Sequence, residues 1–213
     1  MNIYRYLDTE HVENFFDTGT LMLSSFGRCR RHEDARADDR EGKSNFLINM
    51  RGQILAGIRN GGESTLLLCT SRSQSDYLKK KFRVNDRFKI ARPLHFVAVI
   101  AEYLEDVQGF RIGDVRYNDG GVETSHSESL SSLMPDLFNL EDSDQKELDA
   151  LMEGMRKTLS ELIHSKVGDD GLFVKRESYA DEAEFRFCWT ISKPVDDSMP
   201  ITCHDAVKYC WRE

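Results

Sequence analysis

The chain has 213 residues, of which 37 are acidic and 29 are basic, giving a formal net charge of −8. Its hydrophobic fraction of 39% and charged fraction of 31% are those of an ordinary soluble globular protein, and the length is sufficient for one large core. The negative charge argues against broad non-specific binding of duplex nucleic acid, which needs a basic surface, but allows a local pocket for a short single strand. We predict one domain over residues 1–213.

The sequence shows no targeting segment and no metal motif. Residues 1–11 have no basic region followed by an apolar one, and no apolar run approaches the eighteen residues of a membrane span. The cysteines are odd in number, scattered, and without a C-x-x-C pair. We therefore expect a cytoplasmic protein with reduced thiols, no membrane partner and no metal. A zinc site would have an unusual ligand spacing, because it would use Cys188, Cys203, His204 and Cys210.

The first predicted strand, over residues 2–7, carries an arginine on its inward face. Arg5 shares its parity with Ile3 and Leu7, so its side chain is expected to point the same way as theirs. Arginine is almost never buried without a partner. Either this face borders a cleft, or an acid elsewhere in the chain pairs with Arg5.

A helix and a second strand follow without a long connection. The apolar spacing predicts a helix from Thr9 to about Asp17, with Gly19 as its C-terminal stop. The strand Thr20–Ser25 is apolar on both faces, as in a central strand, and it ends in two serines. The mixed-charge segment 26–44 then has almost nothing to bury. It is either a solvated loop or a loop beside the site that orders when a ligand or partner binds.

The middle of the chain predicts two further strands and two further helices. The strands are expected at Ser64–Ser71 and Phe110–Tyr117, and the helices at Ser75–Phe82 and from Pro93 onward. This pattern favours an α+β fold with a mixed or mainly antiparallel sheet and flanking helices.

Two later segments have contrasting compositions. Residues 119–139 are rich in serine and glycine, which predicts a flexible insertion. The segment Ser143–Lys166 carries a helical stripe of leucine and methionine, which predicts an amphipathic helix that serves as core or as a docking face.

The last organised stretch places two acids side by side. A short strand is expected at Leu172–Lys175, and from Glu182 to Ile191 polar and apolar residues alternate, which predicts a half-buried strand. On such a strand Glu182 and Glu184 point the same way, with Cα atoms roughly 6.6 Å apart, and Arg186 is next in line. The alternative interpretation is that Glu182, Glu184 and Arg186 lie on an exposed sheet face and pair with charges on neighbouring strands.

The joint order of these features resembles the ADP-ribosyltransferase superfamily, specifically its Arg–Ser–Glu class. The order is an arginine on strand one, a helix, a glycine, serines that end strand two, and an E-x-E on a late strand. The chain also looks like a group of uncharacterised bacterial proteins that share an F-V-K…Y…E-x-E-F/Y-R ending. Here that ending consists of Phe173, Val174, Lys175, Tyr179, Glu182, Ala183, Glu184, Phe185 and Arg186.

The resemblance implies an ADP-ribosyltransferase-like fold and the transfer of ADP-ribose from NAD to a macromolecular acceptor. The acceptor expected is RNA or another nucleic acid, with a protein as the alternative. The resemblance further implies a bacterial toxin or phage-defence effector with a possible antitoxin partner. The rival functions are an NAD glycohydrolase, an RNA 2′-phosphotransferase, and a non-catalytic interaction module on the same fold.

The resemblance also implies roles for individual residues. Glu184 would bind the ribose 2-hydroxyl while the sugar gains oxocarbenium character, and Glu182 would orient or deprotonate the acceptor. Arg5 would hold the pyrophosphate or a ribose of NAD with its planar donors. Ser24 or Ser25 would hold the nicotinamide-side ribose, because the chain has Leu-Ser-Ser where the class has a Ser-x-Ser element.

Other side chains have two interpretations each. Tyr4, Tyr6 or Tyr77 would stack on nicotinamide, although aromatic residues at such positions are commonly core. Arg186 is either an ion-pair partner of Glu184 or a phosphate contact, and Lys175 has the same two interpretations.

Overall fold

The computed structural model describes residues 2–31, 38–50, 53–119, 123–128, 149, 153, 157, 170–195 and 197–213. In that part of the chain the protein is mixed α/β, with a mainly antiparallel sheet and flanking helices. The strands are β1 (Ile3–Leu7), β2 (Thr20–Ser25), β3 (Lys43–Met50), β4 (Gln53–Asn60), β5 (Thr65–Ser71), β6 (Asp86–Ile90), β7 (Val107–Asp114), β8 (Arg116–Tyr117), β9 (Glu123–Glu128), β10 (Val174–Lys175), β11 (Glu184–Ile191), β12 (Met199–Thr202) and β13 (Cys210–Arg212).

Five helices have described bounds, and two short 3₁₀ helices lie between them. They are α1 (Thr9–Thr18), α2 (Phe26–Arg31), α3 (Asp76–Phe82), α4 (Pro93–Tyr103), the 3₁₀ helices Asp170–Phe173 and Glu177–Glu182, and α5 (His204–Val207).

Local sequence signals explain where several helices begin and end, and these predictions are confirmed. Gly19 follows α1 with φ of 74°, the left-handed conformation that glycine adopts without strain. The Ser75 side chain caps α3 by accepting a hydrogen bond from the backbone N–H of Tyr77. Pro93 occupies the first turn of α4, where its missing N–H costs nothing. Strands β2 and β5 also coincide with the predicted strands.

The main sheet contains eight strands. Its continuous path is β12-β2-β5-β1-β6-β13, and β11 pairs with both β5 and β7. All of these pairings are antiparallel. Two smaller sheets, β10-β8 and β4-β3-β9, each contain a parallel pair.

The main sheet divides at β5. One edge of β5 pairs with β11 along its whole length. On the other edge, β1 pairs only where Tyr4 lies opposite Ser71, whereas β2 pairs at Leu66 and Leu67. If both pairings were extended, β1 and β2 would occupy the same space beside β5. The two strands therefore diverge, and a cleft opens between them in front of the middle of β5.

Strand β11 is buried on both faces, so the prediction of a half-buried strand is wrong. Its apolar parity, with Phe187 and Trp189, lies in the main core and contacts α4. Its opposite parity is also buried: Cys188 packs with Phe26 of α2 and with Leu172 in a second cluster. The alternation of polar and apolar residues therefore separates two buried faces of β11, one in the main core and one in the second cluster, rather than a buried face from an exposed one.

Of the two interpretations of residues 26–44, the solvated loop is wrong for the residues that are described. The segment begins with α2, and β3 starts at Lys43. Within it, Asp38, Glu41 and Ser44 are buried. The single sequence gives no sign of this burial, because the cations that pair with these acids lie more than a hundred residues later.

Two predicted segments fall mainly outside the described residues. Of the predicted insertion over 119–139, the structure describes residue 119 and strand β9, which pairs with β3. Of the predicted helix Ser143–Lys166, it describes Asp149, Glu153 and Lys157, which are helical and exposed. Among the helices with described residues, none has the length and apolarity needed to cross a membrane.

Candidate active site

A cavity of about 320 Å³ lies at the cleft where β1 and β2 diverge. Its lining includes Arg5 of β1, Ser24 of β2 and, from the other extreme of the chain, Lys175, Glu182 and Glu184. The sheet order explains this meeting, because β5 lies between the early strands and β11. The structure thus brings the predicted arginine, one predicted serine and both predicted acids to one place.

Arg5 lies where the sheet divides. Its side chain is half-buried, and its Nη1 donates a 2.6 Å hydrogen bond to the backbone carbonyl of Cys69. Cys69 belongs to the stretch of β5 between the contacts with β1 and β2. Arg5 also lines the cavity, so the inward face of β1 borders a cleft at this residue.

The two serines at the end of β2 have different surroundings. Ser25 is fully buried, and its hydroxyl accepts a 3.0 Å hydrogen bond from the backbone N–H of Arg28, which caps α2. Ser24 lines the cavity. Only Ser24 is thus placed to contact a ligand in the cavity.

The predicted tyrosines are held by structural hydrogen bonds. The Tyr6 hydroxyl donates to the Ser73 carbonyl at 2.7 Å and accepts from the Ser75 N–H at 2.8 Å, while its side chain lines the cavity. Tyr4 packs with Tyr6 in a small buried cluster and is not part of the cavity lining. Tyr77 is exposed and also lies outside that lining.

Glu182 and Glu184 converge, although not by the predicted geometry. Glu182 ends a 3₁₀ helix rather than lying on β11, and Ala183 between the two acids has a left-handed backbone with φ of 43°. Both carboxylates nevertheless contact the ammonium of Lys175, Glu182 at 2.8 Å and Glu184 at 3.1 Å. The pairing depends on Lys175, which is itself buried.

Arg186 is fully buried and fixes the second oxygen of Glu184. Its Nε donates to Glu184 Oε1 at 2.7 Å, its Nη1 donates to the Leu172 carbonyl at 2.6 Å, and its Nη2 bonds the carboxylate of Glu41. Arg186 is not part of the cavity lining. The structure therefore favours the ion-pair interpretation of Arg186 over the phosphate contact.

These contacts keep Glu184 ionised. Burial alone would raise the pKa of Glu184, but Arg186 and Lys175 lower it to about 2. Burial alone would likewise lower the pKa of Lys175, but Glu184, Glu41 and Glu182 raise it above its usual value. At neutral pH the cavity wall thus presents a permanent carboxylate beside a permanent ammonium.

Glu41 is a third carboxyl group in the cavity wall that the sequence interpretation missed. Burial raises the pKa of Glu41 to about 7, against the opposing effect of Arg186 and Lys175. The carboxylates of Glu184 and Asp38 act in the same direction as burial, because they disfavour a further negative charge nearby.

Lys81 and Cys69 also support the acids without having been predicted. Lys81 of α3 lies 2.6 Å from Asp181 and 3.1 Å from Glu182, so it is not a solvated lysine. The Cys69 thiol helps to lower the pKa of Glu184, and the pKa of Cys69 itself is raised by the Cys29 thiol and by burial. Neither residue belongs to a motif that the sequence displays.

Among the described residues, no group of three or more histidine, cysteine, aspartate or glutamate side chains is arranged to hold a metal ion.

Comparisons of the chain with models of protein families, with curated proteins and with solved structures find no match. The chemistry of the cavity therefore has to be argued from its own residues. They comprise two acids, of which Glu184 is ionised at neutral pH, together with an arginine and a serine hydroxyl from β1 and β2.

Proposed function

We propose that this cavity binds NAD and that the protein transfers ADP-ribose from NAD to a macromolecular acceptor. The observation that carries the proposal is that Arg5, Ser24 and Glu184, which come from three different strands, line one cavity. This is the set of residue types that the resemblance to the Arg–Ser–Glu class assigns to NAD.

The ionisation of Glu184 suits the bond that has to break. When the nicotinamide–ribose bond breaks, nicotinamide leaves with the bonding electrons and positive charge develops on the ribose C1′. An ionised carboxylate held at the ribose 2-hydroxyl stabilises that charge, and the pKa of Glu184, about 2, keeps it ionised over the physiological range. Glu184 does not serve as a general acid in this scheme.

Residues of β1 and β2 supply the binding groups. The guanidinium of Arg5 binds the pyrophosphate or a ribose of NAD, and the hydroxyl of Ser24 binds the nicotinamide-side ribose. Glu182 accepts the proton that the acceptor loses when its nucleophilic atom bonds to C1′. The cavity is near the lower end of the roughly 300–1,000 Å³ range of ligand pockets, so it holds the nicotinamide nucleoside end of NAD.

The central experiment combines purified protein, labelled NAD and a bacterial lysate. We expect label to enter a macromolecular fraction, and Glu184→Gln to reduce the rate by at least about a hundredfold, the usual cost of losing a charge-stabilising group. Glu177→Gln removes an exposed carboxylate outside the cavity and should leave the rate unchanged. The same two variants test whether the protein is a toxin. If it is, wild type and Glu177→Gln should inhibit bacterial growth when expressed, whereas Glu184→Gln should not.

Two further measurements separate the rival functions. Release of nicotinamide without any labelled acceptor would indicate an NAD glycohydrolase instead. NAD must also raise the melting temperature if it binds the folded state, and Ser24→Ala, which does not touch the charge cluster, should reduce that rise. If NAD neither shifts the melting temperature nor labels an acceptor, the proposal is wrong and a non-catalytic module is favoured.

A further inference from the structure

A second cavity, of about 310 Å³, shares Lys175 with the first one. Its lining also includes Arg40, Lys43 and Arg176, together with Asp38 and Asp39. No role proposed above uses this cavity. Because Lys175 belongs to both linings, whatever occupies the second cavity lies one side chain away from Glu182 and Glu184.

The cations of the second cavity are not equivalent. Lys175 is paired with Glu182 and Glu184. Arg176 is paired with Asp38 at 2.8 Å and with Asp39 at 3.2 Å.

Arg40 and Lys43 lack such acid partners. Neither side chain forms an ion pair within the described part of the chain, and the Arg40 Nη1 bonds only the backbone carbonyl of Asp119, at 2.9 Å. In a protein with a net charge of −8, these two side chains form a local positive site.

The backbone holds Arg40 and Lys43 in place. The carboxylate of Asp38 is fully buried and accepts hydrogen bonds from the backbone N–H groups of Arg40, at 3.0 Å, and Arg176, at 3.1 Å. The N–H of Lys43 in turn donates to the carbonyl of Arg40 at 2.9 Å. This tight turn fixes the backbone of both residues at the wall of the second cavity, and the bond from Arg40 to the Asp119 carbonyl orients its guanidinium.

We propose that the second cavity is a phosphate-binding subsite for the acceptor, and that the acceptor is a single-stranded polynucleotide. The proposal rests on the ADP-ribosyl transfer proposed above. Arg40 and Lys43 bind one phosphodiester of the strand, while the neighbouring nucleotide reaches past Lys175 towards Glu182 in the first cavity. The phosphates of a polynucleotide are regularly spaced, so one phosphate can lie in the second cavity while the neighbouring nucleotide lies in the first. The charges of Arg40 and Lys43 match a phosphodiester anion.

The test measures binding of a short fluorescent single-stranded RNA as a function of salt, without any NAD. The double variant Arg40→Gln/Lys43→Gln should weaken binding and reduce the slope of log K against log salt by about 0.7, the value for the loss of one phosphate contact on a single strand. The control Lys193→Gln/Lys208→Gln removes two exposed lysines that line neither cavity, and it should leave the slope unchanged.

A second arm distinguishes the two sources of phosphate. The melting temperature is measured with ADP-ribose, and the Arg40→Gln/Lys43→Gln protein should keep the full wild-type shift. If that shift is lost while RNA binding is unchanged, the subsite belongs to the dinucleotide and the acceptor assignment is wrong. RNA binding that is absent, or equal in wild type and variant, overturns the proposal, and so does transfer of label to protein alone. The RNA-binding and melting results do not bear on whether wild-type protein cleaves NAD, which the labelling assay decides.

Discussion

The two walls of the candidate site are built differently. The wall from the C-terminal part of the chain includes Lys175 and Glu184, and Arg186 supports it from outside the cavity lining. The three side chains are buried and joined by hydrogen bonds of 2.7 to 3.1 Å. The wall from the N-terminal part, with Arg5 and Ser24, is half-buried and lies where the sheet opens. The acids are therefore held as part of the core, whereas the arginine and the serine lie at the entrance.

This difference separates stability from binding. A substitution in the buried wall removes a partner from a charge that stays buried, so it should mainly lower the free energy of unfolding. A substitution at the entrance leaves no such charge behind, so it should mainly change ligand affinity. The following predictions test this division.

The largest effect is expected at Arg186. Arg186→Met leaves Glu41 and Glu184 without their shared cation, and we expect a loss of about 3–5 kcal/mol in the free energy of unfolding, measured by urea denaturation. Arg212→Gln is the control, because the Arg212–Asp17 pair is exposed and separated by 3.7 Å, and it should cost less than about 1 kcal/mol. Equal effects of the two substitutions would show that the buried cluster is not what holds this wall together.

Glu41 should give the protein an unusual dependence on pH. The pKa of Glu41 is raised from 4.5 to about 7 by burial, so the folded protein binds a proton more tightly than the unfolded chain does. The corresponding stability is fully present below pH 4.5 and is lost as the pH rises through 7. The charged groups around Glu41 are Arg186, Lys175, Glu184 and Asp38.

The variant Glu41→Gln removes this titration. We expect the unfolding free energy of Glu41→Gln to rise relative to wild type between pH 5 and pH 8, by an amount on the order of 2–3 kcal/mol. A difference that stays constant with pH would contradict the assignment. Glu184 should behave in the opposite way, because the pKa of its carboxyl is lowered to about 2 and its contribution is lost as the pH falls from 4.5 towards 2.

The smallest effect separates two neighbouring serines. Ser25→Ala removes the cap of α2 and should cost about 1 kcal/mol of stability, with little effect on the affinity of the site for NAD. Ser24→Ala should change stability by less than about 0.5 kcal/mol and weaken the binding of NAD. Thermal melts with and without NAD measure both quantities. If Ser24→Ala lowered stability and Ser25→Ala weakened NAD binding, the separation of stability from binding would be wrong.

The parts of the fold that the sequence predicts are those set by local chemistry. Gly19, Ser75 and Pro93 mark helix ends through backbone effects that depend on one or two residues, and their positions were predicted correctly. The burial of Glu41 was not predictable in this way. It depends on Arg186, which lies 145 positions away in the chain, and pairings of that kind leave no periodic pattern.

The site shows the same division between local and distant effects. The E-x-E motif correctly suggested that two acids lie together, yet Glu182 is not on the strand and Ala183 turns the backbone between them. The contact that unites the acids comes from Lys175, whose two interpretations the sequence left open. The choice between Ser24 and Ser25 became clear only with the start of α2, a helix that the charge-rich sequence concealed.

Strand β12 ends one side of the main sheet, and it contains Pro200 opposite Met22 of β2. Proline has no N–H to donate, so it is tolerated in a sheet only where its nitrogen faces away from the neighbouring strand. The outward side of this four-residue strand therefore offers a poor template for another chain, which discourages edge-to-edge polymerisation.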